Sequence, residues 1–143
     1  MKIVNALAVF LFVGVVVSNA APPYQATGIK IGEVDQDSAI VWTRTTAIEP
    51  KADEPGDIVD AAPGIEGEVR LTYWETDLPE RAIVGEWASV DTDRDFTHHF
   101  QLEGLKPETP YGLKVEARPL AGGEVTSSID GRFRTAPPVD KAT

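Results

Sequence analysis

The sequence predicts an all-β fold, a sandwich of about seven short antiparallel strands in two sheets. Two observations lead there. Apolar side chains recur at every second position over short runs, the period of a half-buried strand. Gly, Pro and Asp punctuate those runs, and no stretch carries the 3.6-residue period of an amphipathic helix. A length of 143 residues suits one such domain.

In chain order, 28–34 is the first strand, with Ile29 and Ile31 on one face, and Asp35-Gln36-Asp37 is its turn. The second strand is 38–44, where Ile40 and Trp42 share a face. Residues 47–66 then form an exposed connection, because Pro50, Pro55 and Pro63 cannot donate to a ladder and Gly56 and Gly64 loosen the chain. Its acids, Glu49, Asp53, Glu54, Asp57, Asp60 and Glu66, face a lone Lys51. Val69, Leu71 and Tyr73 alternate through the third strand, and 82–90 holds a short edge strand with a bulge at Gly85. Three strands remain: 96–102, carrying His98, Phe100 and Leu102 on one side; the Tyr111, Leu113, Val115, Ala117 alternation; and 129–135 around Phe133. The expected core is Ile40, Trp42, Leu71, Tyr73, Phe100, Leu105, Tyr111, Leu113, Val115 and Phe133.

The first twenty residues stand apart. Lys2 precedes the apolar run Ala6 to Val17, and Ser18-Asn19-Ala20 puts small residues at the −3 and −1 places of a cleavage site. This is the layout of a signal peptide, so export to the periplasm or the extracellular space is expected, with no stable membrane insertion after cleavage. The expected division is 1–20 signal peptide, 21–26 extended leader, 27–137 sandwich and 138–143 tail or truncated linker.

Charge and composition exclude several functions. Thirteen Lys+Arg against 23 Asp+Glu, a net −10, argue against nucleic acid as a partner. The absence of cysteine removes disulfides and thiol chemistry. His98 and His99 are strand neighbours that point to opposite faces, so they do not grip one metal. Asp91 to Asp95 looks like the start of a calcium loop, but the Gly and Glu such a loop needs at its sixth and twelfth positions are here Phe96 and Leu102. Ser127 and Ser128 have no base in a useful context, and no glycine-rich phosphate cradle is present. No residue is therefore assigned as catalytic, cofactor-binding or metal-binding. Trp74, opposite Tyr73 on its strand, and Trp87, at an edge, are the candidate interface residues.

One stretch carries a family pattern. Leu105-Lys106-Pro107-Glu108-Thr109-Pro110-Tyr111, followed by alternating apolar residues, resembles the fibronectin type III signature. In that fold the tyrosine hydroxyl bonds back to the backbone a few residues upstream, the tyrosine corner, and the resemblance puts Trp42 at the place of a core tryptophan. A narrower resemblance rests on Asp37-Ser38, Trp42-Thr43-Arg44, Asp95-Phe96-Thr97 and Gly131-Arg132-Phe133-Arg134-Thr135-Ala136-Pro137 taken together. Over 27–137 the chain looks like the N-terminal domain of PhoD-type alkaline phosphatases. That resemblance implies an accessory module that packs beside a metallophosphoesterase catalytic domain, whose metal ions, iron and calcium, are held outside this stretch. It carries over no catalytic residue, because only residues 138–143 follow Pro137. The expected function is non-catalytic: shaping access to, or stabilising, that catalytic domain. The alternative is a free-standing secreted binding module for a protein or a cell-surface polymer.

Overall fold

A computed structural model describes residues 21–49 and 62–141. The expected signal peptide and the centre of the acidic connection, 50–61, lie outside the described residues, as do 142–143.

Eight strands form two antiparallel sheets: β1 (Ile29–Gly32), β2 (Ala39–Arg44), β3 (Glu68–Glu75), β4 (Ile83–Val84), β5 (Ala88–Ser89), β6 (Thr97–Leu102), β7 (Pro110–Arg118) and β8 (Ser127–Arg134). The small sheet runs β1-β2-β6. The large sheet runs β4-β3-β7-β8, and β5 also pairs with β3. β4 and β5 are thus two halves of one edge strand, parted by Gly85, Glu86 and Trp87, where the Gly85 bulge was expected. The Gly85 N–H still reaches the Leu71 carbonyl at 2.9 Å.

The core fills the space between the sheets. Ala39 and Val41 come from the small sheet, Leu71, Tyr111, Leu113 and Val115 from the large one, with Leu102 and Leu105 closing one end. Ile29, Ile31, Tyr73, Phe100 and Phe133 pack against them. The tyrosine corner is present: the Lys106 N–H donates to the Tyr111 hydroxyl at 2.9 Å, and the Tyr111 ring stacks on Phe133 with centroids 5.4 Å apart. Gly131 of β8 leaves room for β1, since a Cβ there would come within 2.9 Å of Ile29 and 3.0 Å of Leu113.

Two expectations need correction. Ile40 and Trp42 do not face the core; the buried face of β2 is Ala39, Val41 and Thr43. β2 reads apolar on both faces, so alternation alone did not settle which one turns inward. The large sheet already fills the interior with Leu113, Tyr111 and Phe133, and small side chains fit opposite them. Thr43 adds a polar reason, because its hydroxyl donates to the buried Gln25 Oε1 at 2.8 Å. Trp42 instead lies half-buried on the outer face of the small sheet, between its cross-strand neighbours Lys30 and His99. The Lys30 ammonium stands 5.6 Å from the indole centroid.

The second correction concerns 21–26, which is part of the domain rather than a leader. Tyr24 exchanges backbone hydrogen bonds with Thr46. Gln25 is buried and its amide donates to the Val115 carbonyl and Ser127 Oγ of the large sheet, both at 3.2 Å, while its Oε1 accepts from Thr43 of the small sheet, so it joins the two. A glutamine in a polar N-terminal stretch reads as exposed; only the tertiary partners show that it is satisfied inside.

Candidate interaction surface

The outer face of the large sheet is built by the outward positions of β3, β7 and β8. Register places Glu68 beside Arg118, Arg70 beside Glu116, Thr72 beside Lys114 and Trp74 beside Gly112. On β8, Asp130 lies next to Lys114 and Arg132 next to Gly112. Five of the chain's 13 Lys+Arg, namely Arg70, Lys114, Arg118, Arg132 and Arg134, stand on this one face.

The face has two unlike halves. In one, every charge is partnered. Arg118 Nε bonds Glu68 at 2.8 Å, and Arg70 Nη2 bonds Glu116 at 2.8 Å. The Trp87 indole lies on both arginines, 4.0 Å from the Arg118 guanidinium and 4.5 Å from that of Arg70. Each such contact is worth about 0.5–1 kcal/mol at a partly exposed site. The bulge between β4 and β5 is what turns Trp87 onto this face, so it shields the charge ladder and is half-buried rather than offered outward.

In the other half the indole of Trp74 lies over Gly112, where a Cβ would come within 2.7 Å of the ring. Trp74 is a ridge between two hollows. One, of about 480 Å³, reaches Lys114, Asp130 and Arg132. The other, of about 320 Å³, reaches Pro79, Ala82 and Glu116. Lys114, Arg132 and Arg134 have no ion-pair partner among the described residues.

The remaining sequence candidates occupy other places. His98 points inward and half-buried, its ring edge-on to Phe100 at 4.6 Å, whereas His99 is exposed. Burial pushes the His98 pKa below the ordinary 6.5, repulsion from His99 adds to this, and a backbone bond to Ser89 opposes it. Asp91 caps the 3-10 turn Thr92–Arg94 by accepting from the Asp93 N–H at 3.0 Å. Asp95 receives Arg44 in a fork, Nε at 2.9 Å and Nη2 at 2.8 Å, and that hydrogen bonding holds its carboxyl below the usual aspartate range. Arg44 Nη1 also donates to the Ala62 carbonyl at 2.8 Å, tying the base of the acidic connection to the β5–β6 turn. These acids therefore hold loops in place. Among the described residues no group of three or more His, Asp or Glu side chains converges to hold a metal, so they do not fit the ions implied for the catalytic domain.

The sequence matches a family model described as the N-terminal domain of PhoD-like phosphatases, over residues 15–137. The chain belongs to that family. The PhoD-type N-terminal domain also resembles solved structures. In the structure of PhoD the match has 19% identity and a TM-score of 0.56, covering 81% of this chain and 20% of that one. Astrotactin-2, a vertebrate membrane protein, matches at 14% identity and TM-score 0.53, covering 82% of this chain and 23% of that one. The fibronectin type III domain of human collagen alpha-1(XX) matches at 19% identity and TM-score 0.47, covering 86% and 88%. No protein of curated function matches. The likenesses to PhoD and astrotactin-2 are of fold.

The sequence reading of this PhoD-type domain names Trp74 and Trp87 as candidate interface residues; the structure puts Trp87 against Arg70 and Arg118 instead of outward, and the sequence reading does not name Arg70, Arg118, Gly112 or Arg132. A signal for the first two was present: Glu68-x-Arg70 and Glu116-x-Arg118 put opposite charges at outward positions of two strands. Nothing in the sequence showed that Trp74 would lie on a glycine of the neighbouring strand.

Proposed function

We propose that the chain is the non-catalytic accessory module of an exported PhoD-type phosphatase or phosphodiesterase, and that it packs against the metallophosphoesterase catalytic domain through an exposed sheet face that includes Trp74. Within that assembly it stabilises the catalytic domain or limits which phosphoesters enter its cleft. The module itself holds no metal; iron and calcium belong to the catalytic domain. The observation that carries this reading is the family match over 15–137, which spans every strand of the sandwich. A face with an indole ridge, two hollows and three unpartnered cations suits association.

Co-expression tests it. The chain, tagged, is produced with a PhoD-type catalytic domain whose folding is verified by phosphodiester hydrolysis. The expected outcome is co-purification as a defined complex. An active catalytic domain that never associates with the chain would favour the free-standing binding module instead.

A further inference from the structure

We infer that the docking surface is one half of the large sheet's outer face, Trp74 with Lys114, Arg132 and Arg134, and that it fits an acidic, partly apolar patch on the domain that follows the sandwich. The inference rests on the accessory-module reading above and specifies the surface and the partner's chemistry.

Three observations select this half. First, charge is satisfied unevenly. Glu68 and Glu116 neutralise Arg118 and Arg70, and Trp87 covers both arginines, whereas Lys114, Arg132 and Arg134 form no ion pair among the described residues and only Lys114 has an acid, Asp130, across the strands. A chain of net −10 that gathers cations on one half-face presents a local field opposite to its overall one. That field steers an anionic surface to this place and repels one elsewhere.

Second, Trp74 is supported but not covered. Gly112 lets the indole lie flat on β7, fixing its position before any partner arrives, and hollows flank it on both sides. A fixed aromatic ridge beside unpaired cations has the makeup of an interface centre, since its ordering cost is already met within the module.

Third, the chain leaves the sandwich at this end. Arg134 pairs with Pro110, one step from the Trp74–Gly112–Arg132 row. Thr135 and Ala136 are then held by backbone bonds to Thr109 and Asp35 at 3.1 and 3.0 Å. Pro137-Pro138 follows, a stiff pair that restricts how freely anything attached beyond it can reorient. The outward Trp42 on the small sheet is the rival surface, but Lys30 already lies against its ring.

The test uses the full chain with the active catalytic domain, measuring affinity in a salt series. Arg132→Glu and Lys114→Glu, both outward positions, and Trp74→Ala are compared with Lys30→Glu and Trp42→Ala on the opposite sheet. Unfolding midpoints confirm that each variant folds. The expected result is a loss of at least about tenfold for the charge reversals, with a shallower salt dependence, and a similar loss for Trp74→Ala. The small-sheet variants retain wild-type affinity. Association that ignores the Trp74 half and fails with Trp42→Ala and Lys30→Glu overturns this surface while leaving the accessory reading intact. Absence of any association overturns both. Capture of inorganic polyphosphate through Arg132 and Lys114, without association, would make the patch a polyanion site and overturn the docking proposal.

Discussion

Tyr111 has two separable tasks. Its ring is buried and stacks on Phe133, and its hydroxyl accepts the Lys106 N–H. Tyr111→Phe keeps the ring and leaves that N–H without an acceptor, so the expected loss is about 1–3 kcal/mol in urea unfolding. Leu113, fully buried, sets the scale for a core deletion: Leu113→Ala is expected to cost about 2–5 kcal/mol. Trp42→Ala belongs lower, about 1 kcal/mol, because it removes cross-strand and cation–π contacts from an outer face. Equal losses for Trp42→Ala and Leu113→Ala would contradict the β2 orientation. Tyr111 was legible because a turn proline, a corner tyrosine and three further alternating apolar positions specify one side. Trp42 was not, because Ala39 to Thr43 offers an apolar choice on either side, and the Thr43–Gln25 bond that helps decide it joins residues 18 apart.

At the scale of strands, alternation decided what was readable. β3, β7 and β8 each alternate cleanly, so their inward faces followed from sequence. The split of the edge strand into β4 and β5 was visible as a glycine, but not its effect, which is to turn Trp87 onto Arg70 and Arg118. β6 carries the pH-sensitive contact. His98 sits on its inner face against Phe100, with its pKa depressed first by burial and then by His99. A depressed folded-state pKa means that the fold prefers neutral His98. The contribution is fully present above the unfolded value of 6.5 and is lost as pH falls through the lower folded value. Between about pH 7 and about pH 5 the urea midpoint of the wild-type chain is expected to fall. His98→Phe keeps an aromatic ring beside Phe100 and removes the titration, so its midpoint should change less over that range. A steeper change in the variant would contradict the burial of His98. Asp95 acts in a more acidic window: its lowered pKa makes the Arg44 fork a contribution present above 3.8 and lost below it.

For the molecule as a whole, the question is whether this fold does chemistry alone. Phosphoester hydrolysis of the PhoD type needs metal ions to polarise the phosphoryl group, and several converging ligands to hold them. The described residues supply two histidines on opposite faces of β6 and acids among which Asp91 caps a turn and Asp95, Glu116 and Glu68 pair with arginine. No three of them converge. The cations nearest to a candidate phosphate site, Lys114 and Arg132, flank an indole on an open sheet face and share their hollow with the Asp130 carboxylate, which opposes an anion. The net charge of −10 also opposes approach of a phosphoester dianion over most of the surface. The purified chain is therefore expected to hydrolyse p-nitrophenyl phosphate and its bis ester no faster than buffer, with calcium, iron or zinc added. Turnover that survives further purification and vanishes with His98→Ala or Asp93→Ala would place a catalytic site in the sandwich and end the accessory reading. Added to the catalytic domain, the same chain should alter that domain's thermal stability or its preference between mono- and diester. A variant with Arg132→Glu should lose that effect while keeping its own unfolding midpoint, because the residue is exposed on the proposed docking half and not in the core.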